Sequence, residues 1–161
     1  MTRERSALLA QLESERRHVL ATVDGLHDAH LTRTIAASGW SIAQLLNHLT
    51  YDDEIFWASA ILGGDDEAMA LITDGWKVPV TSGLETVELY RHWSHRSDAV
   101  LAGVDLDAPP CWWPPEDVFP FPPFADARQC LLRLLVETAT HAGHLDMVRE
   151  GIDGHQHLVV D

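Results

Sequence analysis

Basic side chains are scarce in this chain. Eleven Lys and Arg stand against twenty-five Asp and Glu, giving a formal charge of −14 and a pI near 4.9. No basic run exceeds Arg16-Arg17. Binding a phosphate backbone needs clustered cations, so nucleic acid is not an expected partner. The acidic balance reads as a solubility device that repels anionic partners. Long apolar runs are missing too. None reaches the ~18 residues of a membrane span, and the start Met1-Thr2-Arg3-Glu4-Arg5-Ser6 lacks the apolar core of a secretion signal. The expected compartment is therefore the cytoplasm, with no membrane partner. Cysteine is nearly absent: Cys111 and Cys130 are the only two, neither in a CxxC, and in a cytosolic chain both are expected as free thiols.

What is present is apolar periodicity and histidine. With 46% apolar residues over 161 positions, the chain can bury a substantial core as one domain, residues 1–161. Ten histidines are many for this length and hint at metal chemistry. Leu8, Leu9, Leu12, Val19, Leu20 and Val23 recur at helical spacing and predict a first helix over 4–26, with His18 solvated among charged neighbours. A linker follows to Ser38-Gly39-Trp40. Ser41 is a suitable N-cap for a second helix, 41–62, stopped by Gly63-Gly64. Residues 63–83 read as a long connection with at most a short helical turn at 68–72. A third helix is expected over 84–103, where His92 and His95 fall on a polar flank.

Segment 105–125 holds Pro109, Pro110, Pro114, Pro115, Pro120, Pro122 and Pro123. Proline fixes φ and removes a donor, so this stretch is neither helix nor central strand. Its Trp112, Trp113, Phe119, Phe121 and Phe124 either strap a crossover to the core or wall a pocket mouth. The fourth helix spans 127–152. No internal repeat is visible, and the whole reads as an all-α four-helix bundle with long crossover connections. His155 and His157, in the tail, are expected in solvent.

Within the fourth helix, Glu137 and His141 are one turn apart and lie roughly 40° from each other around the axis. The seam Leu134–His141–Leu145–Val148–Ile152 faces a core, which turns His141 inward. A buried carboxylate and imidazole need partners. Divalent-metal ligation supplies one kind; hydrogen bonds within the core supply the other. His48, at the edge of the second helix's apolar stripe, would complete a His₂Glu set of the sort found between facing helices. Asp52, one turn later, could hold the free nitrogen of His48 or stay solvated. Asp146 and Arg149 read as helix-surface charges.

Ser38-Gly39-Trp40-Ser41-Ile42-Ala43-Gln44-Leu45-Leu46-Asn47-His48-Leu49 resembles the second-helix signature of the DinB/YfiT-like superfamily. Glu137-Thr-Ala-Thr-His141-Ala-Gly-His144-Leu-Asp146 is similar to the fourth-helix signature of its actinobacterial mini-DinB branch, which Trp112-Trp113-Pro114-Pro115-Glu116 also fits. The resemblance spans essentially the whole chain. It implies a bundle holding one divalent metal, often zinc or nickel, between the second and fourth helices. His48 matches the metal histidine of the second helix, and Glu137 and His141 stand where many relatives have His-x-x-x-His. Relatives similar to mycothiol-dependent maleylpyruvate isomerase also place Glu at the first position.

The resemblance thus implies a thiol S-transferase. In that reading a low-molecular-weight thiol such as mycothiol is activated as a metal-bound thiolate and attacks a small electrophile. His144 then lines the pocket as the catalytic base or as a partner of the ligands, the alternative being that it ligates beside His141 in place of Glu137. The extra C-terminal domain of the larger isomerases is not present in these 161 residues. Two other readings stand beside it: a non-enzymatic metal-binding bundle of the stress response, and a metal-dependent hydrolase. Pairing of two copies as a homodimer is left open.

Overall fold

The computed structural model describes residues 3–35 and 37–157; residues 1, 2, 36 and 158–161, which include both ends of the 1–161 domain reading, lie outside them. The all-α expectation holds. Six α-helices are present among the described residues: α1 (Arg3–Val23), α2 (Asp28–Thr32), α3 (Ile42–His48), α4 (Asp66–Ala70), α5 (Gly83–Gly103) and α6 (Ala127–Asp153). Among the described residues no strand accompanies them beyond an isolated bridge between Thr34 and Ser41.

The helix starts follow from capping chemistry. Ser41 accepts from the backbone of Gln44 while the Gln44 side chain accepts from the backbone of Ser41, a reciprocal box that satisfies two orphan donors. Asp126 caps α6 through the Gln129 N–H at 3.0 Å, and Ser82 caps α5 through Glu85. Gly154, at φ 77°, closes α6 with its N–H on the Glu150 carbonyl at 2.9 Å.

The expected second helix, 41–62, is continuous but changes pitch inside. After His48 it runs as a π-helix over Leu49–Leu62. At its end the Gly63 N–H reaches back five residues to the Ala58 carbonyl at 3.1 Å. In this wider winding each residue turns through less than an α-helical step, so the side chains face other directions than α-helical spacing predicts. Nearly every side chain from Thr50 to Leu62 is buried, because the segment lies between α5 and α6. Its charges must then be matched inside. Glu54 is 0% exposed and takes the guanidinium of Arg16 from α1, which also reaches Asp98 on α5 at 2.7 Å.

α1 packs along α6, and this seam corrects several surface readings. His18 is not solvated: its Nε2 lies 2.8 Å from both oxygens of Asp146, and His157 stacks on its ring at 3.8 Å. Arg149 donates to the carbonyls of Thr22 and Asp24, both at 2.8 Å, and so satisfies the carbonyl end of α1 rather than of its own helix. Residues flanking two apolar stripes meet once the helices lie side by side, which neither periodicity alone reveals. The linker 27–40 also contains a helix that the sequence reading missed, α2, tied to the start of α5 by Asp28 accepting from the Leu84 N–H at 3.1 Å.

Segment 105–125 is neither helix nor strand, in keeping with its prolines, and it turns twice, the second turn closed by the Val118 and Phe119 N–H groups on the Pro115 carbonyl. It is strapped to the π-helix: the Trp112 N–H bonds the Ile61 carbonyl at 3.2 Å, and Phe124 stacks on Trp57 at 5.3 Å with planes 7° apart. Cys111 is exposed and Cys130 buried, both free thiols. No helix among the described residues is long and apolar enough to cross a membrane.

Candidate metal centre

His48 is the last residue of α3, at the point where the winding widens. From there its imidazole faces α6, where Glu137 and His141 sit one turn apart. The structure brings all three together: one ligand atom from each lies within 4.8 Å of the other two. Glu137 Oε2 is 3.7 Å from His48 Nε2 and 3.4 Å from His141 Nε2. All three side chains are largely but not wholly buried.

Each imidazole is held by its far nitrogen. His48 Nδ1 is 2.6 Å from Asp52 Oδ2, one turn on, so this nitrogen carries the proton and Nε2 keeps its lone pair for the centre. His141 Nδ1 is 3.3 Å from His144 Nδ1, which again leaves Nε2 facing Glu137. Such outer partners fix tautomer and ring orientation in metal sites. The other Glu137 oxygen, Oε1, takes Arg133 at 2.8 Å. Burial, together with the neighbouring His48, lowers the His141 pKa to about 4, so this imidazole is neutral across the physiological range and able to ligate.

Asp52 is itself anchored by a turn. Residues Gly75–Lys77 form a single 3₁₀ turn whose Gly75 N–H points between the two Asp52 oxygens, at 3.1 and 3.2 Å. A side chain at Gly75 would lie 2.8 Å from the Asn47 carbonyl and 2.8 Å from His48 Cα, so only glycine allows the turn this close. Trp76, next along, stacks on His48 at 4.6 Å. Sequence reading missed Gly75, Trp76 and Arg133. The first two lie in the aperiodic 63–83 connection, and their only local signal was the Asp74-Gly75 turn pair. Arg133 was visible one turn before Glu137.

His144 is exposed and lies beside the ligand set rather than within it. With His141, Trp40, Trp76 and Gln44 it lines a cleft of mixed polar and aromatic character on one side of the centre. On the other side, His48 and Glu137 form part of the wall of a cavity of about 850 Å³ between the π-helix, α6 and the Phe-rich crossover. The aromatic crossover therefore does both things its composition suggested, strapping the core and walling a pocket. Asp53 also belongs to that cavity; burial beside Glu137, Glu54 and Asp52 pushes its carboxyl well above the usual carboxylate range.

The ligand set fits a divalent ion. Two imidazole nitrogens and one carboxylate oxygen are borderline donors suited to zinc or nickel, and three is the number of protein ligands that a catalytic zinc site takes. His92 and His95, by contrast, are exposed on α5 and join no such cluster. A comparison with curated proteins gives no match. The family model described as mycothiol-S-transferase matches residues 7–154, a span that contains α1 through α6 almost entire together with every residue of the centre. On that match the chain belongs to the mycothiol S-transferase family.

Proposed function

We propose that the protein is a metal-dependent S-transferase that joins a low-molecular-weight thiol of the mycothiol type to a small electrophile. His48, Glu137 and His141 hold one divalent ion, zinc or nickel. The observation that supports this best is the convergence of two imidazoles and a carboxylate, each braced from behind, at the edge of a ligand-sized aromatic cavity. A divalent cation there would lower the pKa of a bound thiol from about 8.5 and keep it ionised at neutral pH.

The chain's own residues do the rest. Asp52, fixed by Gly75, keeps the proton of His48 on Nδ1. Arg133 holds Glu137 with one oxygen turned to the centre. His144, exposed in the lining of the second cleft, would accept the proton that a thiol sheds on binding and pass it to solvent. The aromatic cavity takes the electrophile's apolar body and excludes water around it. Conjugation assays test the reading: the purified protein is given a panel of electrophiles with mycothiol and with other small thiols, before and after chelation. Thiol adducts that form faster with protein, lose that acceleration on chelation and regain it with zinc or nickel support it. A rate equal to the protein-free rate for every pair would overturn it.

A further inference from the structure

The outer face of α6 is uncharged in a protein of formal charge −14. Between Arg133 and Glu150 its exposed residues are Val136, Ala139, Thr140, Gly143, His144 and Met147. The outer faces of α1 and α5 show charges instead, Glu13 and Arg17 on one, Glu88 and Arg91 on the other. Five of the seven large apolar side chains exposed among the described residues gather here. Leu132, Val136 and Met147 stand on α6; Val118 and Phe121 stand on the crossover, which shares a cavity wall with Gln129 and Arg133 of that helix. At 100° per residue, the exposed face from Gln129 to Glu150 falls within an arc of about 100°, with Arg133 and His144 at its edge. Contiguous apolar surface of this kind marks an interaction site.

We infer that this face is a two-fold interface, in which α6 packs antiparallel on α6 of a second copy of the chain. The face reads alike from both ends. Its spacing from Gln129 to Glu150 runs 3, 4, 3, 1, 3, 4, 3, symmetric about the peptide between Ala139 and Thr140. Antiparallel pairing about that point sets Leu132 against Met147, Val136 against Gly143, and Ala139 against Thr140. The sizes match: long side chains meet near the ends, small ones at the axis, and Val136 enters the gap that a glycine leaves. Glycine weakens a helix interior, and the chain itself gives Gly143 no packing reason: a Cβ there would meet nothing beyond its own helix within 4 Å. At the ends, the Gln129 amide faces the partner's Glu150, a donor toward a carboxylate. This symmetry is what selects a second copy, since an unrelated partner gains nothing from it. Two acidic chains repel wherever carboxylates meet, and between its ends this face exposes none. It is about 32 Å long, and two helix diameters of width give a footprint of roughly 700 Å², near the ~800 Å² per partner of standard interfaces.

Sedimentation velocity on the full-length protein, from low to high micromolar concentration, tests the pairing. A species of twice the 17.9 kDa chain mass is expected. Met147→Asp and Val136→Asp each place two carboxylates in the symmetric contact and should weaken dimerisation about hundredfold or more. Leu84→Asp, at an exposed position of α5, should leave it unchanged. Circular dichroism shows whether each variant is folded. Register is read with a short bis-maleimide in a Cys111→Ser background. Thr140→Cys chains should link to one another across the axis. Leu132→Cys chains should not, because two such residues lie about 22 Å apart along the pair, but they should link to Met147→Cys chains when the two are mixed. Should an aspartate variant fail to fold, these cross-links decide. A monomer at every concentration, a dimer that both folded aspartate variants leave intact, or Leu132→Cys linking to itself while Thr140→Cys stays unlinked would overturn the inference. None of these outcomes bears on the transferase reading, which conjugation assays test separately.

Discussion

Gly75→Ala is the sharpest perturbation of the centre that leaves all three ligands in place. Its new Cβ would lie 2.8 Å from the Asn47 carbonyl oxygen and 2.8 Å from His48 Cα, both backbone atoms of α3, and 2.9 Å from Asp52 Oδ2. Backbone cannot rotate out of the way, so the 3₁₀ turn must move off. Asp52 then loses the N–H that approaches it at 3.1 and 3.2 Å, and His48 loses both a fixed acceptor and the stacked face of Trp76. Losses of this outer kind weaken metal binding by about 10- to 100-fold, or roughly 1.4–2.7 kcal/mol. Competition titration with a zinc chelator of known affinity measures it. Asp52→Asn should give a loss of similar size, and the double variant should be no worse than the more severe single, because both act through His48. Full zinc affinity in Gly75→Ala, with Asp52→Asn impaired, would refute the chain of contacts from the turn to the imidazole.

Three further outcomes follow from the interior. Arg16→Leu leaves Glu54 as a 0% exposed carboxylate without its guanidinium and should cost about 3–5 kcal/mol in urea unfolding, the loss typical of breaking one side of a buried pair. Asp53→Asn should raise stability at pH 7. The folded state holds the Asp53 proton while the unfolded chain releases it near pH 3.9, so the wild type loses stability as pH rises above that value. Urea midpoints of the two proteins should therefore converge as pH falls toward 4. Cys130 is buried on α6, its pKa pushed up to about 12 by that burial, so native protein should react with a thiol reagent at Cys111 and release the second thiol only on unfolding.

Much of this was legible before any coordinates, and the remainder was hidden for physical reasons. Helix spans come from apolar spacing and caps, both local, which is why 84–103 and 127–152 agree with α5 and α6 to a residue. The Glu137–His141 pair was readable because a helix converts sequence distance to angle. Spacing alone left it open whether His48 would face it, since facing depends on how two helices are rotated against each other, and the family resemblance was what singled His48 out. The π-helical winding from Leu49 was invisible for a different reason: buried polar residues such as Asp53 and Glu54 fall among the apolar ones, so no single period stands out. Gly75 shows the limit most clearly. Its value lies in a contact with α3, more than twenty residues earlier in the chain, and nothing in its neighbours declares it. Likewise Asp146 and Arg149 gained partners only when α1 was laid against α6.

Metal content measured by mass spectrometry, on protein purified without affinity-resin metal, tests the central claim most directly. We predict one zinc or nickel per wild-type chain, none in His141→Ala, and undiminished metal in His144→Ala with conjugation slowed. Full occupancy in a folded His141→Ala protein would contradict the account.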